Sequence, residues 1–300
     1  MGLQLPKRAR ASRARVSTML MVPAGLVALG ACSAEDQEQI TRLAMPEPVT
    51  DRAPFVYELW QWGWLAAAIV GVAVWGLMFY AAFKFRRRSD DEIPVQTRYN
   101  LPIEVLYTIV PVIIVVVFFF FTVRAQDGVL AEAAENGETD HTIKVVGQKW
   151  SWSFNYVEED AVGGETVYTA GTPAEIPTLM LPVDETVTVQ LHSPDVIHSF
   201  WIPSFLMKMD VVPGRDNSFS FTPTEEGEYL GKCAELCGTY HSRMLFNVEI
   251  VSADEYDDHL RDLRDQGNVG EVLGGDDVNQ QAGLEDGVHD DETSELGDQE

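Results

Sequence analysis

The sequence predicts a two-helix transmembrane hairpin carrying an all-β extracytoplasmic domain, and three features of its 300 residues predict it. Two apolar runs, about 60–83 and 103–123, are each long enough to cross a bilayer, which takes roughly 20 residues as a helix. Lys84, Arg86, Arg87 and Arg88 lie in the short loop between them, and positively charged loops stay cytoplasmic. Within 140–252 the apolar period falls to two, in short runs between Pro and Gly turns, the pattern of a sandwich or barrel of antiparallel strands.

Residues 1–31 open on a basic run (Lys7, Arg8, Arg10, Arg13, Arg15), and an apolar stretch follows from about Thr18 to Ala31. That stretch is too short to span a bilayer and reads as a secretory signal peptide. It closes on Leu29-Gly30-Ala31-Cys32, which resembles a bacterial lipobox with Cys32 as the lipidated residue of a lipoprotein. An ordinary signal cleaved nearby, with Cys32 incidental, is the plainer alternative. Residues 32–55 are polar and acidic with Pro46, Pro48 and Pro54, an extended extracytoplasmic segment.

The hairpin occupies 56–126. Trp60, Trp62 and Trp64 stand at one end of its first run and Tyr80 at the other, as an interfacial aromatic belt requires. With the cationic loop inside, both outer ends face the side to which a signal peptide exports the chain. Glu104 and Pro111 interrupt the second helix. Proline is tolerated in a membrane helix where neighbours satisfy the freed carbonyl. Glu104 is either an interfacial carboxylate or a proton-pathway group facing another subunit.

In the β domain Trp150, Trp152, Phe154 and Tyr156 alternate with Lys149, Ser151, Ser153 and Asn155, placing every aromatic on one face of a strand. Val187, Val189 and Leu191, then Phe219 and Phe221, then Leu245, Val248 and Ile250 mark further strands. Residues 157–174 read as a long surface loop. Asp254 to about Asp265 suits a short acidic helix with Leu260 and Leu263 towards the domain. The rest of the acidic tail, 253–300, is largely disordered on this reading, because it has too few apolar residues to offset ordering entropy.

Aspartate and glutamate number 47 against 21 lysine and arginine, a formal charge of −26. Phosphate binding needs basic patches, so nucleic acid is not a partner. A basic protein partner or a salty habitat fits the acidity equally. The three cysteines, Cys32, Cys233 and Cys237, are no disulfide framework.

Residues 233–244 read Cys-Ala-Glu-Leu-Cys-Gly-Thr-Tyr-His-Ser-Arg-Met and bring two thiols, an imidazole and a thioether together as Cys233, Cys237, His241 and Met244. Such soft donors favour copper over hard cations. His198, in Ser-Pro-Asp-Val-Ile-His-Ser-Phe-Trp, offers a second imidazole. A disulfide between Cys233 and Cys237 is one competing reading, and a closed Cys₂His₂ zinc site with His198 and His241 is another. Met244 tips the balance, since a weak thioether is typical of copper electron-transfer sites. A mononuclear blue-copper centre needs only one cysteine, whereas a second thiolate at i+4 lets both sulfurs bridge two metals. Each copper then has one imidazole and one weak ligand, Met244 sulfur on one and a backbone carbonyl such as that of Glu235 on the other. Sharing the added electron over both metals keeps the geometry nearly constant on reduction.

Cys-x-Glu-x-Cys-x₃-His-x₂-Met resembles the CuA motif of cytochrome c oxidase subunit II. Asp195-Val196-x-His198-Ser199, Val212-Pro213-Gly214-Arg215 and Trp150-Ser151-Trp152 resemble other blocks of that family, and the likeness runs from the first membrane helix to about Val251. The resemblance implies a cupredoxin-like Greek-key domain on the extracytoplasmic side of a bacterial plasma membrane, in a multi-pass chain among membrane lipid. It implies a binuclear copper centre (CuA) held by His198, Cys233, Glu235 through its carbonyl, Cys237, His241 and Met244. It further implies that electrons arrive from a c-type cytochrome at Trp150 and pass to oxidase subunit I. There oxygen is reduced to water with proton pumping, so no catalytic oxygen site is expected in this chain. Glu104 resembles the carboxylate at the mouth of a proton pathway, and Glu235 would approach a magnesium site shared with subunit I. His192 has no counterpart role and is structural.

The departures are Ser151, where the family often has a third aromatic, and the absence of Cys-x-x-Cys-His for an attached haem. The alternative from another class is a free-standing membrane lipoprotein that binds or delivers copper. Two membrane helices argue against it, since a lipid anchor alone would suffice. A nitrous oxide reductase would carry a long catalytic domain that this chain lacks, and a quinol oxidase subunit would lack the ligands.

Overall fold

A computed structural model describes residues 33–131, apart from 90 and 94, and residues 139–275. Residues 1–31, expected to be a signal peptide, Cys32, the expected lipidation site, and the tail from 276 onward lie outside the described residues. The chain divides into two units, Met1–Glu47 and Pro48–Glu300. In the first, the segment expected to be extended holds a helix, α1 (Ala34–Thr41), whose glutamates and glutamines are good helix formers.

The second unit opens on the hairpin. Helix α2 spans Ala53–Lys84 and α3 spans Leu101–Val129. Both outrun the apolar stretches that announce them, because polar residues at their outer ends continue the same backbone hydrogen bonding. Their apolar side chains are exposed on every side, the mark of a helix solvated by lipid. Helix α3 runs through Pro111 without a break, so this proline does not interrupt it. Glu104 sits in its first turn, where Oε1 accepts the Asn100 N–H at 2.9 Å while the Asn100 side chain caps Ile103.

The β domain is two five-stranded sheets. Its strands are β1 (His141–Gln148), β2 (Ser151–Glu159), β3 (Glu165–Ala170), β4 (Thr178–Pro182), β5 (Val187–His192), β6 (His198–Ile202), β7 (Met207–Val211), β8 (Asn217–Phe221), β9 (Gly227–Cys233) and β10 (Leu245–Val251). One sheet has the order β3-β2-β1-β5-β8 and the other β4-β10-β9-β6-β7. The sandwich is as expected, but the pairing is not wholly antiparallel: β1 with β5, and β4 with β10, run parallel. Residues 157–174 are not one loop. Gly163 and Gly164 take φ of 76° and 82° and turn β3 back onto β2, where Val167 is buried. Trp152, Phe154, Phe200, Phe246, Leu191 and Val248 fill the core.

Two further segments are better ordered than their composition suggests. Before α2, Val49 donates to Ser204 O at 3.3 Å and the Thr222 N–H meets Asp51 Oδ1 at 2.7 Å. Arg52 Nη1 donates to Gly128 O at 3.1 Å, so residues 48–52 join the β domain to both membrane helices. After the sandwich, α4 (Ala253–Asp265) starts with a Ser252–Glu255 capping box and buries Tyr256, Leu260 and Leu263. Residues 267–275 then lie back on the first sheet, contrary to the expected disorder, because their backbone is bonded even though their side chains bury little.

His141 ties α4 to the sandwich. Its Nδ1 is 2.8 Å from Glu159 Oε2 and its Nε2 is 2.7 Å from Glu185 Oε2, while the Tyr256 hydroxyl donates to Glu159 Oε1 at 3.1 Å. Burial opposes an imidazolium here, but the two carboxylates outweigh it and raise the pKa from 6.5 to about 9. A raised folded-state value means the stabilisation is complete below pH 6.5 and is lost as pH climbs through about 9. We expect the unfolding free energy of the domain to fall by about 2 kcal/mol across that window, a figure reduced for the solvent exposure of Glu185. A denaturant titration at several pH values checks this. The His141→Gln protein should lack the decline, and a flat parent profile would contradict the clamp.

Candidate metal centre

The centre is built by the loop from β9 to β10 and by the first residue of β6. Register pairs Leu245 with Lys232, and the Cys233 N–H donates to Met244 O at 2.9 Å, so residues 234–243 are closed as a loop by the ladder itself. The Ala234 N–H donates to Ser199 O at 3.0 Å and pins that loop to β6 beside His198. Cys233 and Cys237 are buried free thiols, which removes the disulfide reading.

The donors form two halves around the sulfur pair, whose Sγ atoms are 3.9 Å apart. Cys233 Sγ is 3.8 Å from His198 Nδ1 and 3.2 Å from Glu235 O. Cys237 Sγ is 3.5 Å from His241 Nδ1 and 3.7 Å from Met244 Sδ. Donor atoms of His198, Cys233 and Cys237 all lie within 4.8 Å of one another, buried. The contact between the two sulfurs draws the Cys233 pKa down and pushes that of Cys237 up. Such a pair surrenders one proton easily, and a thiolate is the metal-binding form.

His198 is oriented from behind. Its Nε2 is 2.8 Å from Asp195 Oδ1, leaving Nδ1 towards the sulfur, and Asp195 Oδ2 accepts the Lys149 N–H at 2.8 Å. A carboxylate on the far nitrogen fixes ring orientation and raises ligand basicity. Burial works against the Asp195 charge, yet His198 and the Lys149 and Val196 amides hold its pKa below the usual value. The same Asp195 contact leaves the His198 pKa raised despite burial.

Trp150 is not on the aromatic strand. It sits in the turn before β2, 8% exposed, where Nε1–H donates to Cys237 O at 3.2 Å and its ring meets Tyr240 edge-on at 5.0 Å. Gly238, with φ +124°, passes so close that a Cβ would be 3.0 Å from Trp150 Cζ2. Trp152, one face inward, donates to Met244 O at 3.4 Å and edges His198. Sequence reasoning missed the parts played by Trp152 and Asp195. The Asp-x-x-His spacing was the available signal for the second.

Known families account for both parts of the chain. A profile described as cytochrome c oxidase subunit II, periplasmic domain, matches residues 141–251, and one for the transmembrane domain of the same subunit matches 42–124. The chain belongs to the cytochrome c oxidase subunit II family. Probable cytochrome c oxidase subunit 2 of Streptomyces coelicolor is 46% identical over 287 residues, covering 84% of this chain and 88% of the relative. That of Streptomyces avermitilis is 47% identical over the same shares of the two chains. A solved periplasmic domain of subunit II of cytochrome oxidase from Bradyrhizobium japonicum aligns at 30% identity with a TM-score of 0.38, covering 43% of this chain and 96% of that one. As a member of the cytochrome c oxidase subunit II family, the chain is a membrane protein, and its β sandwich is the part that matches the family's periplasmic domain. The free-standing copper lipoprotein is not favoured.

Proposed function

We propose that His198, Cys233, Glu235 through its carbonyl, Cys237, His241 and Met244 hold a binuclear copper centre of the CuA type. The observation that carries the reading is the two-halved donor set: each sulfur has its own imidazole and its own weak donor, and the two sulfurs are neighbours. A closed zinc site would leave Met244 and the Glu235 carbonyl without a purpose. When bound, such a centre supplies one-electron transfer between a soluble donor and the oxidase core.

The chain's own residues prepare it. Asp195 aims His198, the β9–β10 ladder holds Cys233 against Met244, and burial excludes water from the sulfurs. Trp150, hydrogen-bonded to the Cys237 carbonyl, is the proposed point where a c-type cytochrome delivers its electron. The excess of carboxylates steers a basic donor, an attraction that weakens with salt. The exposed Glu235 carboxylate is available to a magnesium ion shared with subunit I. We place the β domain on the extracytoplasmic face of a bacterial plasma membrane, anchored by the hairpin and by lipid on Cys32. The domain boundaries read from sequence (signal 1–31, extracytoplasmic segment 32–55, hairpin 56–126, copper domain 140–252, tail 253–300) are part of this proposal. Electron paramagnetic resonance of the copper-loaded protein tests it: a mixed-valence signal split by two equivalent copper nuclei is expected, and a silent zinc protein would refute the reading.

Glu104 is proposed to lie at the mouth of a proton pathway into subunit I. The structure gives it a second task, capping α3 through the Asn100 N–H. Glu104→Gln keeps an acceptor for that N–H but cannot ionise. We expect slower oxygen turnover at unchanged copper content, measured polarographically. Unaltered turnover would return Glu104 to helix capping alone.

A further inference from the structure

Residues 267–275 cross the first sheet from its β3 edge to the metal centre. The Gly270 N–H donates to Thr166 O at 2.8 Å and the Tyr168 N–H to Asn268 O at 3.1 Å, edge-strand pairing with Val269 opposite Val167. Two side-chain amides then grip the strap by its backbone. Asn155 Oδ1 accepts the Val272 N–H at 2.7 Å, while its Nδ2 donates to Val272 O at 3.1 Å. Gln148 does the same three residues on: Oε1 accepts the Gly275 N–H at 3.1 Å and Nε2 donates to Gly275 O at 3.1 Å. Opposite Asn155, Lys144 pairs with Glu271, the residue before Val272.

The strap ends against both halves of the clamp behind His198. Gly274, at φ +77°, passes so near that a Cβ there would lie 2.6 Å from Gln148 Oε1 and 2.7 Å from Pro194 Cγ. Gln148 precedes Lys149, whose N–H is held by Asp195, and Pro194 precedes Asp195 itself. We propose that this C-terminal strap is a positioning element of the metal centre: wedged between Gln148 and Pro194, it fixes Asp195 between His198 and the turn that carries Trp150. Only a glycine fits the wedge, and the three-residue step between Val272 and Gly275 sets its register. The consequence for copper rests on the reading given above; the hold on Asp195 does not.

The test uses the assembled oxidase carrying full-length subunit, the Gly274→Val and Gln148→Leu variants, a chain ending at Asn268 and one ending at Gly275. Hydrogen exchange of the Lys149 amide, and the copper resonance spectrum and reduction potential, are read together. Gly274→Val, Gln148→Leu and the chain ending at Asn268 should exchange Lys149 about tenfold faster, the effect of one net hydrogen bond lost. Their copper content should stay constant while spectrum and potential shift. The chain ending at Gly275 keeps the strap and should match the parent. Parent-like exchange in Gly274→Val overturns the proposal, and so does faster exchange with unmoved spectrum and potential. A parent without a two-copper signal would instead refute the copper reading, with Lys149 exchange still deciding the strap's hold on Asp195.

Discussion

Replacing Cys237 by serine leaves the sandwich folded and lowers turnover with reduced cytochrome c by more than about 100-fold, beyond the loss that follows removal of a partner outside the ligand set. Cys237 is the junction of the donor set: its sulfur alone touches Cys233, His241 and Met244. Serine fills nearly the same buried space and leaves the Cys237 carbonyl for Trp150, so the loop keeps its backbone bonds. It substitutes a hard hydroxyl for a soft bridging thiolate, however, and two metals can no longer share two sulfurs. Stopped-flow oxidation of cytochrome c, paired with a denaturant melt, separates the effects. A variant with parental turnover would defeat the copper assignment; one that fails to fold would show that the pair is structural.

The ligand set was legible because it is local. Five of its six members fall between Cys233 and Met244, and a hairpin loop closed by strand pairing brings such neighbours together without long-range help. His198 was legible as a second imidazole, but its place beside the sulfurs was not, since β6 meets the loop through the Phe200–Cys233 register, which no spacing discloses. The membrane helices were equally plain, but their ends were not: hydropathy marks what lipid touches, while backbone bonds continue into polar residues such as Glu58 and Gln126. The parallel pairs β1–β5 and β4–β10 depend on which strands become neighbours, a tertiary outcome. The strap was misread for a clearer reason. Composition reports side-chain burial, and residues 267–275 are held by amides of Asn155 and Gln148 grasping backbone. Ser151, Ser153 and Asn155 alternate as a solvent face would, yet all three are buried, Asn155 beneath that strap.

Trp152→Ala should cost about 3–5 kcal/mol of domain stability, the range for deleting a large aromatic from a core. Trp152 is wholly buried and meets Phe200 and Phe246 edge-on at ring centroids of 5.6 Å and 5.5 Å, with those two stacked at 4.9 Å. Relaxation into the cavity is limited, because Gly147 lies directly against the indole: a Cβ there would be 2.9 Å from Trp152 Cζ3. A loss of that size is a large share of the roughly 5–15 kcal/mol that holds a typical domain together. Trp152→Phe divides the effect. It retains most of the ring but removes the N–H bonded to Met244 O, so about 1 kcal/mol should be lost through the hydrogen bond, in addition to the smaller cavity. Because Met244 O still accepts the Cys233 N–H, the phenylalanine variant should bind copper with a perturbed spectrum, whereas the alanine variant should release it on mild warming. Urea melts of the metal-free proteins give the first comparison and copper retention the second. Equal stabilities for parent and Trp152→Ala would mean that the aromatic cluster does not hold the two sheets together, and that the metal loop is carried by its ladder alone.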